Sequence, residues 1–142
     1  MKVVTDVFGE IEVNDDAVIK FESGIPGFED QKSFIVIEEE DENYPFVWML
    51  STADPHVGFI MIDPFKTFSD YEVELPQTAI EKLKIESSED VTIYTIINLT
   101  EKPEDLTTNL QGPIVINGRT GLGKQVILDD ERYTTKHYVL KR

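Results

Sequence analysis

The sequence predicts an antiparallel all-β fold, barrel-like or a sandwich, with one short helix, in a single domain spanning residues 1–142. Three observations carry that prediction. Short runs rich in Val, Ile, Phe and Thr recur along the chain; Gly and Pro punctuate the gaps between them; and one segment alone has helical spacing. At 142 residues, two independent cores would each fall near the lower size limit.

Taken in order, residues 2–7 set Val3, Thr5 and Val7 on one face. After Phe8-Gly9, Ile11 and Val13 oppose the outward acids Glu10 and Glu12. Two period-2 runs about a glycine read as a hairpin. Further strands are predicted at 17–21, 33–37, 46–50, 57–62, 91–99, 113–117 and 125–128. The runs Phe46-Val-Trp-Met-Leu50 and Val57-Gly-Phe-Ile-Met-Ile62 are apolar without alternation. Such strands have both faces covered, by a curled sheet or by another protein. The helix starts at Pro76, where no amide hydrogen is needed, and sets Ala79, Ile80 and Leu83 on one face. About two turns cannot stand alone, so the helix must lie on the sheet.

Composition narrows function. With 40% hydrophobic and 10% aromatic residues the chain has material for a core. It carries 13 Lys+Arg against 28 Asp+Glu, a net charge of −15. That field repels phosphate backbones and argues against direct nucleic-acid binding; it steers in basic proteins. No run approaches the roughly 18 apolar residues of a membrane helix, and no apolar signal segment opens the chain. Without cysteine there are no disulfides, thiolate metal sites or Cys nucleophiles, and the chain reads as cytoplasmic. The acids concentrate early: residues 1–71 hold 16 acids and 4 bases, residues 72–142 hold 12 and 9. The densest run, Glu38-Glu39-Glu40-Asp41-Glu42, reads either as a solvated loop or as one edge of a docking surface.

No catalytic, metal-ligating or cofactor-binding residue is predicted. Gly118-Arg-Thr-Gly-Leu-Gly-Lys124 satisfies G-x-x-x-x-G-K, yet Gln125 offers magnesium no hydroxyl and the following Val126-Ile-Leu128 reads as strand rather than helix. The run is expected to be a glycine-rich hairpin turn. His56 and His137 sit in no ligand spacing. The stretch Asp63-Pro-Phe65-Lys-Thr-Phe68-Ser-Asp70-Tyr71 places Phe65, Phe68 and Tyr71 in a polar connection. Either the loop folds back and its rings cap the core, or they form an aromatic anchor rimmed by Asp63, Asp70 and Glu72.

Two stretches then carry a resemblance. Gly24-Ile-Pro-Gly-Phe-Glu29 with Phe34-Ile-Val-Ile37, and Asn109-Leu-Gln-Gly-Pro-Ile-Val-Ile-Asn117 with Gly123-Lys-Gln-Val-Ile-Leu128, resemble the N- and C-terminal signatures of the bacterial flagellar assembly factor family FliW. Asp63-Pro-Phe65 and Asp70-Tyr-Glu72 also fit, so the match runs in order over nearly the whole chain. Gly112 stands where the family pattern has Ala, and Gly118-Arg-Thr-Gly121 is glycine-rich for that turn. Gly24, Pro26, Gly27, Phe28, Asn109, Pro113 and Asn117 are expected to determine the fold before they contact anything.

The resemblance implies a non-enzymatic regulator without a cofactor. Members bind flagellin, and also the translational repressor CsrA, a small RNA-binding dimer, whose mRNA binding they antagonise non-competitively. Alternatives are a cytoplasmic chaperone of flagellin alone or, on the Gly118–Lys124 motif only, a nucleotide-binding enzyme. The expected partner contacts are Phe65, Phe68, Asp70, Tyr71, Glu38, Glu39, Glu40 and Glu42. Non-competitive antagonism has a physical route here: an acidic body docked beside a basic RNA groove lowers the local potential. Each exposed pair contributes about 1 kcal/mol or less, and screening acts over about 8 Å, so several acids must act together near the groove.

Overall fold

The computed structural model describes residues 1–38 and 46–140. The strands are β1 (Lys2–Thr5), β2 (Gly9–Glu12), β3 (Ile19–Lys20), β4 (Ser33–Glu38), β5 (Phe46–Ser51), β6 (Gly58–Ile62), β7 (Val91–Asn98), β8 (Thr107–Thr108), β9 (Ile114–Asn117), β10 (Leu122–Gln125) and β11 (His137–Tyr138). The helices are α1 (Pro64–Thr67) and α2 (Gln77–Lys82). Seven strands close a barrel in the order β3-β4-β5-β6-β7-β9-β10, with β10 returning to β3. Every pairing is antiparallel except this last, a parallel contact through Leu122 and Lys20. The β1–β2 hairpin lies on the outside, and β8 with β11 extends β7 beyond the ring.

The apolar runs are explained by three packed layers. Inside the barrel, Phe21, Phe34, Met49, Met61 and Ile114 fill the interior, with Phe21 and Phe34 meeting edge to face at 5.3 Å. Outside it on one flank, Val3 of the hairpin packs on Ile35 and Leu50. On another flank, Ala79 and Leu83 of α2 pack with Tyr71, Leu110, Val115, Val126, Leu128 and Tyr133. Adjacent residues such as Phe34 and Ile35, or Ile114 and Val115, therefore serve different layers, and polar alternation disappears from β4, β5 and β9. Each fully buried large side chain contributes about 1.5–3 kcal/mol.

Several expectations need correction. The strand expected at 125–128 is shifted: β10 is Leu122–Gln125, because Gly121 takes φ +71° and donates its N–H to Asn117 O at 2.9 Å, closing a short hairpin that sets Lys124 opposite Val115. Val126 and Leu128 lie beyond β10, where their N–H groups still bond Pro113 O at 2.9 Å and Gln111 O at 2.7 Å, and their side chains bury in the outer layer. Val7 does not share the buried face of Val3 and Thr5. The Thr5 hydroxyl donates to Gly9 O at 3.1 Å and accepts from Phe8 N–H at 2.9 Å, which turns the chain and leaves Val7 exposed. Where one helix was expected there are two α-helices among the described residues, α1 being a single turn too short to show a period. Pro76 stands one residue before α2 rather than in its first position.

Asn117 fastens the layers together. It is fully buried, and its Nδ2 donates to the Leu83 and Lys84 carbonyls at 2.8 and 3.2 Å, which α2 leaves without helical partners. Its Oδ1 accepts from the Arg119 and Thr120 amides at 2.9 and 3.3 Å. Gly24, at φ +66°, has no room for a Cβ: an added one would lie 2.6 Å from the Glu29 backbone. That turn drops Ile25 into the barrel and seats Phe28 edge-on to Phe59 at 5.2 Å, while Pro26 stays outside. Asn109 Oδ1 accepts the Gly112 N–H at 2.8 Å and so leads the buried Pro113 into β9.

Candidate partner-docking site

The polar connection after β6 becomes the one-turn helix α1. Asp63 caps it by accepting the Phe65 N–H at 3.0 Å, Pro64 occupies the start, and Phe68 N–H closes on Pro64 O at 2.8 Å. This geometry separates the three rings. Phe65 is left 43% exposed, Phe68 is half-buried, and Tyr71 is only 4% exposed. For Tyr71 the structure bears out the first of the two readings, a ring folded back onto the core, and not its place among the expected partner contacts. Its hydroxyl donates to Leu110 O at 2.7 Å, and its ring meets Tyr133 at 4.8 Å. Burial, with smaller contributions from Tyr133 and Asp130, pushes the Tyr71 phenol above its ordinary range, so it stays protonated.

Around Tyr71 a cluster of rings joins α1 to the C-terminal segment. Phe65 lies 5.4 Å from Tyr71, while Phe68 and Tyr133 each present to His137 at 6.3 and 6.2 Å. The Tyr133 oxygen accepts the Glu72 N–H at 2.9 Å. Arg132 stands 5.1 Å from the Tyr133 ring centre and bonds Asp130 at 2.9 Å and Glu72 at 3.6 Å. The Arg132 guanidinium holds the Asp130 carboxyl below the usual carboxylate range. Tyr133 and His137 belong to the segment from Arg132 onward, whose aromatic residues carry no periodicity that would place them beside Tyr71.

Beside this cluster opens a groove of about 670 Å³. Its floor is Val73, Leu75, Ile80, Ile85 and Ile93, each half-buried, and the exposed Phe65 stands at one side. Asp63 and Glu74 rim it, and among the described residues no Lys or Arg lines it. Asp70 is exposed nearby in sequence but does not line the groove. Of the expected acidic edge, Glu38 ends β4 and accepts the Tyr94 hydroxyl at 2.6 Å, and Glu39, Glu40 and Glu42 lie outside the described residues. Burial, and then this bond, pushes the Tyr94 phenol upward.

The G-x-x-x-x-G-K run has no phosphate-loop geometry. Gly118 to Gly121 make the β9–β10 turn, and Gly123 and Lys124 lie in β10 with a strand, not a helix, following the glycines. His56 binds Asp6 at 2.6 Å, whose carboxylate raises the imidazole above its ordinary value, and His137 Nε2 accepts the Thr134 N–H at 2.9 Å. Among the described residues no group of three or more His, Asp or Glu is placed to hold a metal ion, and no helix is long and apolar enough to cross a membrane.

The architecture is that of a small seven-stranded β-barrel with an outer apolar groove rimmed by acids. The model of the FliW protein family matches residues 2–139, and the chain belongs to that family. It is 42% identical over 141 residues to the flagellar assembly factor FliW of Alkaliphilus metalliredigens, covering 99% of this chain and 87% of that one. It is 44% identical over 137 residues to the FliW of Geobacillus kaustophilus, covering 96% and 94%. A crystal structure of the flagellar assembly factor FliW superposes with a TM-score of 0.92 at 39% identity, covering 100% of this chain and 99% of that one.

Proposed function

We propose that this flagellar assembly factor works in the cytoplasm as a protein-binding regulator: it binds the repressor CsrA, antagonises its mRNA binding without occupying the RNA site, and binds flagellin as an alternative partner. The groove beside Phe65 is the observation that supports it. An apolar floor rimmed by Asp63 and Glu74, with no Lys or Arg in its lining among the described residues, suits a partner segment that is apolar on one side and cationic at its edges. Phe65 is the anchor, and Tyr71 supports it from below. Catalysis plays no part in the reading.

The net charge of −15 then supplies the antagonism, since the bound body lowers the potential at a neighbouring basic RNA groove. Changing Glu38, Glu39, Glu40 and Glu42 to Gln is expected to leave CsrA bound but less inhibited; undiminished inhibition removes that run from the mechanism. The reading as a whole is tested by co-purification with CsrA and flagellin, singly and in competition. Capture of both, with flagellin displacing CsrA, is the expected result. Capture of flagellin alone makes the protein a chaperone, and capture of neither ends the proposal.

A further inference from the structure

The barrel wall is split at one place. Strands β6 and β7 are in register only through Met61–Ile96 and Ile62–Thr95. Beyond that, β6 runs back to Gly58 still paired with β5, while β7 pairs Ile97 and Asn98 with β8 along its other edge. Gly58 and Phe59 have no strand partner on the side away from β5 among the described residues. The direction of the main-chain groups follows from alternation. Ser51 N–H bonds Val57 O at 3.0 Å, so in this antiparallel ladder Gly58 faces its N–H and C=O away from β5, into the split.

The split is a groove of about 510 Å³ lying at the opposite end of β7 from the Phe65 groove. Leu99 stands 69% exposed on one wall, Phe59 and Ile60 form the other, and Val7 of the β1–β2 turn, 46% exposed, reaches over it. Trp48 lines it, and its buried indole N–H has no acceptor among the described residues. An exposed strand edge is ordinarily blunted by Lys, by proline within the strand or by inward charge. Here β6 carries none of these, and among the described residues no Lys or Arg lines the groove. Asp6 is its acid, in the half of the chain with 16 acids and 4 bases, and His56, bonded to Asp6 at 2.6 Å, lines the groove beside it.

We infer that the fork between β6 and β7 is a second docking surface, which takes an extended segment of a partner protein by strand addition, apolar at alternate positions and cationic at the others. Main-chain bonds to Gly58 supply the pairing, apolar side chains settle between Phe59 and Leu99, and the cationic ones face Asp6. The inference does not depend on which partner fills the Phe65 groove.

The test uses a capped seven-residue peptide of alternating Lys and Val, with a control in which proline replaces each valine. In the folded protein the Gly58 and Ile60 amides are expected to exchange at least tenfold more slowly with the Lys-Val peptide, and the Trp48 indole N–H resonance to shift. The proline peptide, which loses the N–H at every valine position and whose rings clash within a strand ladder, is expected to do neither. Leu99→Ser and Asp6→Lys, both at exposed positions, are expected to weaken the peptide about tenfold while Phe65→Ala leaves it unchanged. No protection at saturating Lys-Val peptide, equal effects from the proline peptide, or loss on Phe65→Ala in place of Leu99→Ser overturns the inference.

Discussion

Phe65→Ala separates binding from folding, and its effect can be worked from the geometry. A phenylalanine side chain presents roughly 200 Å². With 43% of the residue exposed, about 85 Å² of apolar surface is available to a partner. At about 25 cal/mol per Å², covering it stabilises a complex by about 2 kcal/mol, which is about 30-fold in Kd. The covered remainder, against Tyr71, limits the cost to folding to at most about 3 kcal/mol. The assay is titration calorimetry of the variant against CsrA and against flagellin, with urea unfolding to confirm that the variant is folded under the binding conditions. Phe28→Ala is the matched control, because Phe28 is exposed to nearly the same degree but lies against Phe59, away from the groove. If folded Phe65→Ala binds both partners within twofold of the parent, or if Phe28→Ala loses as much, the groove is not where they dock.

Asn117→Ala removes four hydrogen bonds at about 1 kcal/mol each, but Thr120 Oγ1 and Arg119 Nη2 still reach the Leu83 and Lys84 carbonyls, so the expected loss is about 2–3 kcal/mol in urea unfolding. A loss under 0.5 kcal/mol would refute its fastening role. Gly24→Ala is expected to cost more than about 1 kcal/mol in the same measurement, from the left-handed φ and the clash with Glu29 backbone together. His56 has its folded pKa raised by Asp6, so the tether between the β1–β2 turn and the β5–β6 loop is at full strength below the unfolded value of about 6.5 and is lost as pH rises through the folded one. Proton NMR titration is expected to give a midpoint above 6.5 that falls in Asp6→Asn; an unchanged midpoint contradicts the pair.

What the sequence made legible was local. The Gly24–Gly27 turn, the hairpin around Gly9 and the turn through 118–121 rest on backbone angles that few residues adopt, so the residues themselves announce the geometry. The apolar runs at 46–50 and 57–62 announced covered faces, because uninterrupted hydrophobicity leaves a strand no wet side. The fate of Tyr71 was not legible, since the carbonyl that takes its hydroxyl belongs to Leu110, 39 positions on. The floor of the Phe65 groove is assembled from the 73–75 loop, α2 and β7, none of which signals the others in sequence. Two-residue strands such as β8 and β11 are too short to carry a period, and α1 is set by one capping aspartate rather than by a pattern. The fork between β6 and β7 was hidden for a related reason: both strands read as continuous, and only their divergent neighbours part them.

The layer beneath α2 is supplied by Val115, Val126, Leu128 and Tyr133, all from the last third of the chain. A ribosome making this protein has already released α1 and the residues of α2 before the support for them has been synthesised. Until then the aromatic loop has no bed to lie on and the Phe65 groove has no fixed shape. The Phe65 groove is thus a late product of synthesis, shaped only when the final strands emerge and pack beneath the helix.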